Sequence, residues 1–302
     1  MSAGGSRGGA DSFRGRHVIE RTEIMGIIDF RLRPPVAGYL DMIMYANAPR
    51  RDRATRMHGF EPAKSAVHKS VDMLLQEMDR AGVTTGVMVG RVSKVFGSVS
   101  NEDLLRIQAD YPGRFIGIPS IDPVDRRAAE AEIDHAAQNG FRAVGIEPGL
   151  SAVPMHIDDR RLYPLYAKLE DMKVPVVVMA GGNAGPDLSY TDPVHIDRVA
   201  GDFPELKIVA THGAWPWVHQ ILHVAYRRPN LFLSPDQYLA NMPGMDDFVR
   251  AADGYLADRF VYASSYPFTP VDKFAEWFRR LPIREENRHK VMYQNAATLL
   301  GI

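Results

Sequence analysis

The sequence of 302 residues contains no cysteine. This absence excludes disulfide bonds, thiolate-ligated metal sites and a cysteine nucleophile. The chain also lacks an excess of charge of either sign, because 36 lysines and arginines are balanced by 37 aspartates and glutamates. Such a balance leaves no electrostatic footprint for nucleic acid or for an anionic membrane surface. We therefore expect no nucleic-acid partner and no membrane partner.

Long apolar runs are missing as well. No stretch approaches the ~20 consecutive apolar residues that a membrane-spanning helix needs. Residues 1–24 are rich in glycine, serine and arginine and lack the apolar segment of a secretory signal. We expect residues 1–24 to be a disordered segment or an extension and residues 25–302 to form a single domain. A cytoplasmic location and a homo-oligomer, either a dimer or a tetramer, are the corresponding expectations.

Eight short apolar segments alternate with amphipathic segments along the rest of the chain. Most of the short segments are rich in valine and isoleucine and apolar on both faces, which is typical of strands buried in a parallel sheet. The predicted strands are Gly26–Leu32, Thr85–Val89, Phe115–Ser120, Phe141–Glu147, Pro175–Met179, Lys207–His212, Leu231–Ser234 and Arg259–Ala263. The predicted helices are Ser65–Ala81, Asn101–Tyr111, Arg126–Asn139, Leu162–Met172, Pro193–Phe203, Trp215–Arg227 and Val271–Arg280.

This alternation predicts an α/β fold, a (β/α)8 TIM barrel with a long insertion after strand 1 and a C-terminal helix. An open doubly wound sheet is the rival, but it would usually carry a glycine-rich phosphate turn after its first strand. Two arginines and two prolines occupy that place here. The insertion, Val36–Lys64, is too long for a plain loop and is expected to form a lid or a substrate loop.

Arg31 and Arg33 follow the first apolar strand and are spaced two residues apart. Side chains alternate across a strand, so both are expected on the same side. Two like charges on one face are costly unless an anion lies there. Either the pair binds a substrate carboxylate, or it is a solvated strand end.

Three further ionisable residues directly follow predicted strands, where the active site of a barrel lies. Glu147 is expected to be a general base, a metal ligand or the partner of one of the two arginines. His212 can transfer protons or bind a metal, or it is a hydrogen-bonded core histidine. Asp236 is either an acid–base group or the N-cap of the next helix.

A glycine-dense loop follows the fifth strand, from Ala180 to Asp187. The backbone of Gly181 and Gly182, together with Asn183, could hold a carboxylate or an oxyanion, or the glycines could only permit a tight turn. The loop lacks the Lys-Ser/Thr pair of a nucleotide-binding loop. Trp215 and Tyr266, near the ends of later strands, are expected to contact substrate or to pack in the core.

Three segments together resemble the amidohydrolase superfamily, in the branch that contains small decarboxylases and lactonases. They are Ile27-Ile28-Asp29 in the first strand, Leu206–Gly213 in the sixth and Arg259–Phe268 in the eighth. The closing helix, Asn295–Gly301, fits as well, so the resemblance extends from Met25 to Ile302. It implies a barrel enzyme with a metal centre at the strand ends.

The positions that supply metal ligands in this superfamily are mostly replaced here. Arg31 and Arg33 stand where the family has His-x-His, Met179 replaces a histidine, and Ser265 replaces an aspartate, so only His212 remains. Guanidinium groups cannot ligate a divalent cation and would repel it. We therefore expect no cofactor, or alternatively a single displaced Zn, Mn or Fe ion.

The displaced ion would be held by Glu147, His212 and Asp236. The main functional prediction is a metal-independent, lactonase-like hydrolase of a small carboxylated lactone or ester. In that mechanism Arg31 and Arg33 hold the substrate carboxylate. His212 or Asp236 activates water. One alternative is a non-oxidative decarboxylase or hydratase of a small carboxylic acid, and the other is a non-catalytic barrel that binds an acid.

Overall fold

Eight short strands form two parallel sheets in the computed structural model, which describes Met1 and residues 26–302. Apart from Met1, the extension predicted over residues 1–24 lies outside the described residues. The strands are β1 (Ile27–Asp29), β2 (Val83–Val89), β3 (Phe115–Ile118), β4 (Ser120–Ile121), β5 (Val144–Ile146), β6 (Val176–Met179), β7 (Ile208–Thr211) and β8 (Leu231–Ser234). All pairs are parallel, in the orders β1-β2-β3 and β4-β5-β6-β7-β8.

The two sheets are parts of one closed barrel. Strands β3 and β4 share one position in it and are separated by Pro119, whose carbonyl accepts a hydrogen bond from Gly145 N–H at 2.7 Å. The predicted last strand, 259–263, forms only an isolated bridge at Phe260 instead of a continuous ladder. Its Tyr262 carbonyl nevertheless accepts from Phe30 N–H at 3.0 Å, which joins the end of the barrel to its beginning. The predicted (β/α)8 fold is confirmed.

Helices surround the barrel. They are α1 (Ile43–Ala46), α2 (Ala48–Met57), α3 (Lys64–His68), α4 (Val71–Ala81), α5 (Asn101–Asp110), α6 (Arg126–Gln138), α7 (Tyr163–Asp171), α8 (Pro193–Asp202), α9 (Val218–Arg227), α10 (Met245–Ala252), α11 (Val271–Arg279), α12 (Glu285–His289) and α13 (Asn295–Leu300). The prediction of one helix over Ser65–Ala81 is wrong, because Lys69 adopts φ 50° and separates α3 from α4. The helix predicted from Trp215 begins only at Val218.

Two apolar layers lie on opposite sides of the strands. The interior layer takes one or two side chains from most strands, and Leu299 and Leu300 of α13 pack into it from below. The larger layer lies between the strands and the surrounding helices. Because the bottom of the barrel is filled in this way, the open end is the one where the strands finish.

The first strand reverses its alternation at its end. Phe30 packs in the interior layer, whereas Leu32, two residues later, packs in the layer beneath the helices. The carboxylate of Asp29 accepts a hydrogen bond from Arg31 N–H at 3.2 Å and from Ser264 N–H at 2.8 Å, and this fixes the bend between them. Without the reversal, Arg31 and Arg33 would face the helices instead of the barrel mouth.

The long insertion after β1 contains a 3-10 turn (Ala37–Asp41), α1 and α2. Buried hydrogen bonds hold it against the barrel: Tyr39 Oη donates to Val89 O at 3.1 Å and Tyr45 Oη donates to Arg33 O at 2.6 Å. The insertion therefore lies at the mouth of the barrel. No helix within the described part of the chain is long and apolar enough to cross a membrane.

Candidate active site

Two connected cavities lie at the open end of the barrel. The inner one, which we call the inner chamber, has a volume of about 70 Å³. The outer one, which we call the vestibule, has a volume of about 700 Å³. The inner chamber is lined by Arg31, Arg33, Arg50, Arg91, Phe96, Met179, Asn183, His212, Gln237, Tyr238, Ser265 and Phe268. Five of these also line the vestibule, so the two cavities are continuous.

Arg31 and Arg33 both line the inner chamber, as their spacing predicts. Each is about 98–99% buried, and the Nε and Nη2 atoms of both have no hydrogen-bond partner among the described residues. Burial lowers the pKa of Arg33, and the neighbouring charges of Arg31 and Arg91 lower it further. Because buried charges with free donors are costly without a partner, we expect these two guanidinium groups to bind an anion.

Glu147 forms its main ion pair with Arg91. Nε and Nη2 of Arg91 donate to its two carboxylate oxygens at 2.6 and 2.7 Å. Arg31 is a weaker partner, since its Nη2 lies 3.9 Å from Glu147 Oε1. Burial raises the pKa of Glu147, but the charge and hydrogen bonds of Arg91 outweigh it, so the pKa is lowered overall. Of the roles expected for Glu147, the arrangement favours the ion pair, with Arg91 in place of Arg31 or Arg33 as the principal partner.

Positive charge exceeds negative charge in the lining of the inner chamber, where Arg31, Arg33, Arg50 and Arg91 contribute and no carboxylate does. Arg31 has carboxylates nearby, since its Nε lies 3.6 Å from Asp236 Oδ2 and its Nη2 lies 3.9 Å from Glu147 Oε1. Arg33 forms no ion pair with a carboxylate among the described residues. A bound anionic substrate would supply the missing charge.

His212 and Asp236 form a buried pair. His212 Nδ1 lies 2.9 Å from Asp236 Oδ1 and 2.8 Å from Oδ2. Because a carboxylate only accepts, Nδ1 carries the hydrogen and Nε2 keeps its lone pair. Burial lowers the pKa of His212, the charge of Asp236 raises it, and Arg31 lowers it again, with a net decrease. The imidazole is thus held neutral and oriented, as a general base requires.

The backbone at the strand ends is unusual. The backbone φ angles of His212, Asp236 and Ser265 are 62°, 47° and 61°. Residues other than glycine rarely adopt such positive values. Asp236 begins a 3-10 turn without capping it, so its carboxylate is free to bind His212. Such strained conformations concentrate at functional sites.

The other expected contact residues divide between the two cavities and the core. Asn183 lines both cavities, and Trp215 lines the vestibule. Gly182 has φ 64°, and its N–H donates to Trp215 O at 2.9 Å, so this N–H is already engaged. Gly181 packs against the backbone of the loop after β7, where an added Cβ would lie 2.7 Å from Trp215 N. Tyr266 is fully buried, and its Oη lies 2.8 Å from Ser65 Oγ.

Several lining residues have no role in the sequence prediction. Arg91 follows the predicted strand Thr85–Val89, and this position in the sequence predicts that it lies at the mouth of the barrel. Arg50 and Phe96 come from long connections, where sequence patterning carries no such signal. The guanidinium groups of Arg50 and Arg91 lie over the ring of Phe96, at 5.5 and 5.6 Å from its centre.

Comparisons with known proteins agree with this architecture. The profile of the Amidohydrolase family matches residues 28–302. A solved TIM-barrel protein, Bb4693 from Bordetella bronchiseptica, is 51% identical and superposes with a TM-score of 0.90, covering 92% of this chain and 99% of its own. Gamma-resorcylate decarboxylase from Polaromonas sp. strain JS666 is 23% identical over 250 residues, which are 67% of this chain and 75% of the relative.

A second solved structure bears on metal binding. It is dihydroxybenzoic acid decarboxylase from Polaromonas sp. JS666 with bound manganese and the inhibitor 2-nitroresorcinol. It is 19% identical, with a TM-score of 0.67, and the match covers 91% of this chain and 97% of that one. At this identity the likeness establishes the shared fold. The manganese raises the question of whether this chain has suitable ligands.

The side chains at the strand ends do not fit a metal ion as they stand. No group of three or more His, Asp or Glu side chains within the described residues is placed to hold one. The expected displaced site would need Glu147, His212 and Asp236. Both oxygens of Glu147 bind Arg91, and Asp236 binds His212. In this arrangement the three side chains are turned toward these partners and do not converge on one point where an ion could bind.

Proposed function

The chain belongs to the amidohydrolase family, and on that premise we propose that it is a non-oxidative decarboxylase of a small carboxylic acid. The substrate carries a second oxygen that is anionic or becomes so, such as a phenol beside the carboxylate. The observation that carries this proposal is the pair of buried guanidinium groups of Arg31 and Arg33, whose Nε and Nη2 atoms have no hydrogen-bond partner among the described residues, beside the His212–Asp236 pair. The decarboxylases among the relatives support the reaction class.

The two arginines serve best by holding the oxygen that remains charged. A carboxylate loses its charge when it leaves as CO2, so a clamp on that group alone would stabilise the substrate more than the transition state. A clamp on a phenolate stabilises the charge that drives carbon–carbon cleavage. The free Nε and Nη2 atoms of Arg31 and Arg33 can donate to both groups, so the two arginines hold the carboxylate together with the second, anionic oxygen beside it.

His212 can carry the proton that the reaction requires. Its neutral Nε2 accepts the hydroxyl proton of the substrate while Asp236 stabilises the imidazolium that forms. The imidazolium then donates this proton to the carbon that bears the carboxylate. The bond to the carboxylate breaks, its electron pair returns to the ring, and CO2 leaves. The product oxyanion finally takes a proton from solvent, so one proton is consumed for each CO2 released.

A second candidate is hydrolysis of a small carboxylated lactone or ester, the main prediction from the sequence. The neutral imidazole favours it, because the same Nε2 could take a proton from water. Arg31 and Arg33 would then hold the substrate carboxylate and polarise the ester. The two candidates use the same residues but differ in the atoms exchanged with solvent.

Isotopic labelling distinguishes the two candidates. The protein is incubated with hydroxybenzoic acids and with carboxylated lactones, in D2O and in H2(18)O, and products are analysed by mass spectrometry. Decarboxylation releases CO2 and places one deuterium on the former carboxylate carbon. Hydrolysis places one 18O in the product carboxylate and releases no CO2. The second outcome would replace the proposal, and binding without any turnover would favour the acid-binding barrel.

A further inference from the structure

The vestibule has the features of a second anion subsite, which the proposed reaction does not require. At about 70 Å³ the inner chamber is far smaller than the ~300–1,000 Å³ typical of small-molecule sites. The vestibule, at about 700 Å³, lies within that range. The reacting end of a substrate therefore fits the chamber, and the rest of the molecule must extend outward.

Two arginines of α2 line this outer space. Arg50 and Arg53 are one helical turn apart and both border the vestibule, so their like charges repel. Neither has a carboxylate partner among the described residues, whereas the other two arginines of the helix do: Arg51 with Asp52 and Arg56 with Glu61. Only the vestibule-facing pair is left without a counter-charge.

The wall between the two arginine pairs is aromatic. Trp215 and Tyr238 stack with their ring centres 5.2 Å apart at an interplanar angle of 18°. Phe268 borders both cavities. A planar ring can pack against such a wall while its ends reach the charged groups on either side.

We propose that the substrate is an elongated acid with anionic groups at both ends and a flat, apolar middle. Its reacting end binds at Arg31 and Arg33 in the inner chamber. Its distal anionic group binds at Arg50 and Arg53 in the vestibule, and its middle packs on Tyr238 and Trp215. This assignment rests on the proposed function for the identity of the reacting end, but the distal subsite is tested by binding alone.

The test compares two series of probes on the full-length protein. One series is ω-phenylalkanoates of increasing chain length, and the other carries an additional carboxylate at the para position of the ring. Dissociation constants are measured by calorimetry at low salt. We expect the best dicarboxylate to bind at least about tenfold more tightly than its monocarboxylate, as one additional charge-assisted contact allows.

Variants of α2 test whether the tighter binding of the dicarboxylates arises in the vestibule. Arg53→Gln is expected to weaken the dicarboxylates several-fold more than the monocarboxylates, and Arg53→Lys to restore most of the difference. Arg56→Gln is the matched control on the same helix and should change neither series. Melting temperatures show that each variant is folded.

The distal subsite is overturned if the two series bind the wild-type protein equally at every length. It is also overturned if Arg53→Gln weakens both series by the same factor. Failure of the proposed reaction is recognised separately, as an intact dicarboxylate preference in a protein that releases no CO2.

Discussion

Arg91 holds both carboxylate oxygens of Glu147, with N–O distances of 2.6 and 2.7 Å, in a pair that is almost completely buried. This bidentate contact commits one of the three buried arginines of the inner chamber. Arg31 and Arg33 remain with unpartnered donors beside it. Glu147 thus neutralises the charge of Arg91, whereas the free donors of Arg31 and Arg33 are left to bind a ligand.

Replacing Glu147 by glutamine tests this structural role. Glu147→Gln leaves Arg91 buried without its counter-ion, which typically costs about 3–5 kcal/mol. The free energy of unfolding, measured with urea, should fall by that order. The matched control is Glu61→Gln, which removes an exposed ion pair with Arg56 and should change stability by less than about 1 kcal/mol. Equal small effects would show that the buried pair has no structural role.

Replacing Arg33 should have the opposite effect on stability. Its charge is buried, unpartnered and repelled by Arg31 and Arg91, so it destabilises the ligand-free protein. Arg33→Met keeps an unbranched apolar side chain and removes the charge, and we expect a gain of about 1–4 kcal/mol, the range seen when apolar residues replace buried charges. Arg91→Met is the contrasting variant and should be destabilised. A less stable Arg33→Met protein would contradict the expectation that the buried charge of Arg33 destabilises the ligand-free protein.

The proton-transfer role of His212 predicts a pH profile. Neutral imidazole is the active form, so kcat/KM should rise with pH and level off, with an inflection below 6.5 because the pKa of His212 is lowered. Asp236 raises this pKa, so Asp236→Asn should move the inflection to still lower pH as well as slow the reaction.

Substitution of the histidine completes that test. His212→Asn should lower turnover by about 10²–10⁴-fold with the fold intact. His223→Asn, an exposed histidine on α9, is the control and should retain full activity. If His212→Asn keeps near-normal turnover but melts early, the residue is structural and Asp236 becomes the preferred base.

The sequence predicts that these residues come together, because the strand ends of a barrel converge. Arg31, Arg33, Glu147, His212 and Asp236 all follow apolar strands, and the structure brings them together. The spacing of the two arginines predicts their common side. It does not predict the bend after Asp29, which depends on a hydrogen bond from Ser264, 235 residues away in sequence.

The partners of these residues could not be predicted from local pattern. Glu147 pairs with Arg91 because bidentate geometry is available there, and no spacing in the sequence encodes that contact. Tyr266 follows a strand-like segment but points to Ser65 of α3, a helix that the pattern merges with α4. The N–H of Gly182 is taken by a loop carbonyl, which only tertiary structure reveals.

The donor set of the barrel mouth predicts an enzyme that works without an added metal. Elemental mass spectrometry of the purified protein should find no stoichiometric zinc, manganese or iron, and activity should survive a chelator and not rise with added manganese. The reason is chemical, since Arg31 and Arg33 can only donate hydrogen bonds and would repel a cation. A stoichiometric metal that is lost in Glu147→Ala would support the displaced site instead.

The central claim is that the free N–H donors of Arg31 and Arg33 bind a substrate anion. Calorimetry with 2,6-dihydroxybenzoate and the isosteric 2,6-dihydroxybenzamide tests it most directly, on the wild-type protein and on Arg33→Met. We predict that the wild-type protein binds the acid more tightly by the equivalent of about 2–5 kcal/mol, as for a buried charge pair, and that Arg33→Met loses most of this preference. Equal binding of acid and amide by the wild-type protein, or an unchanged preference in Arg33→Met, would contradict the claim.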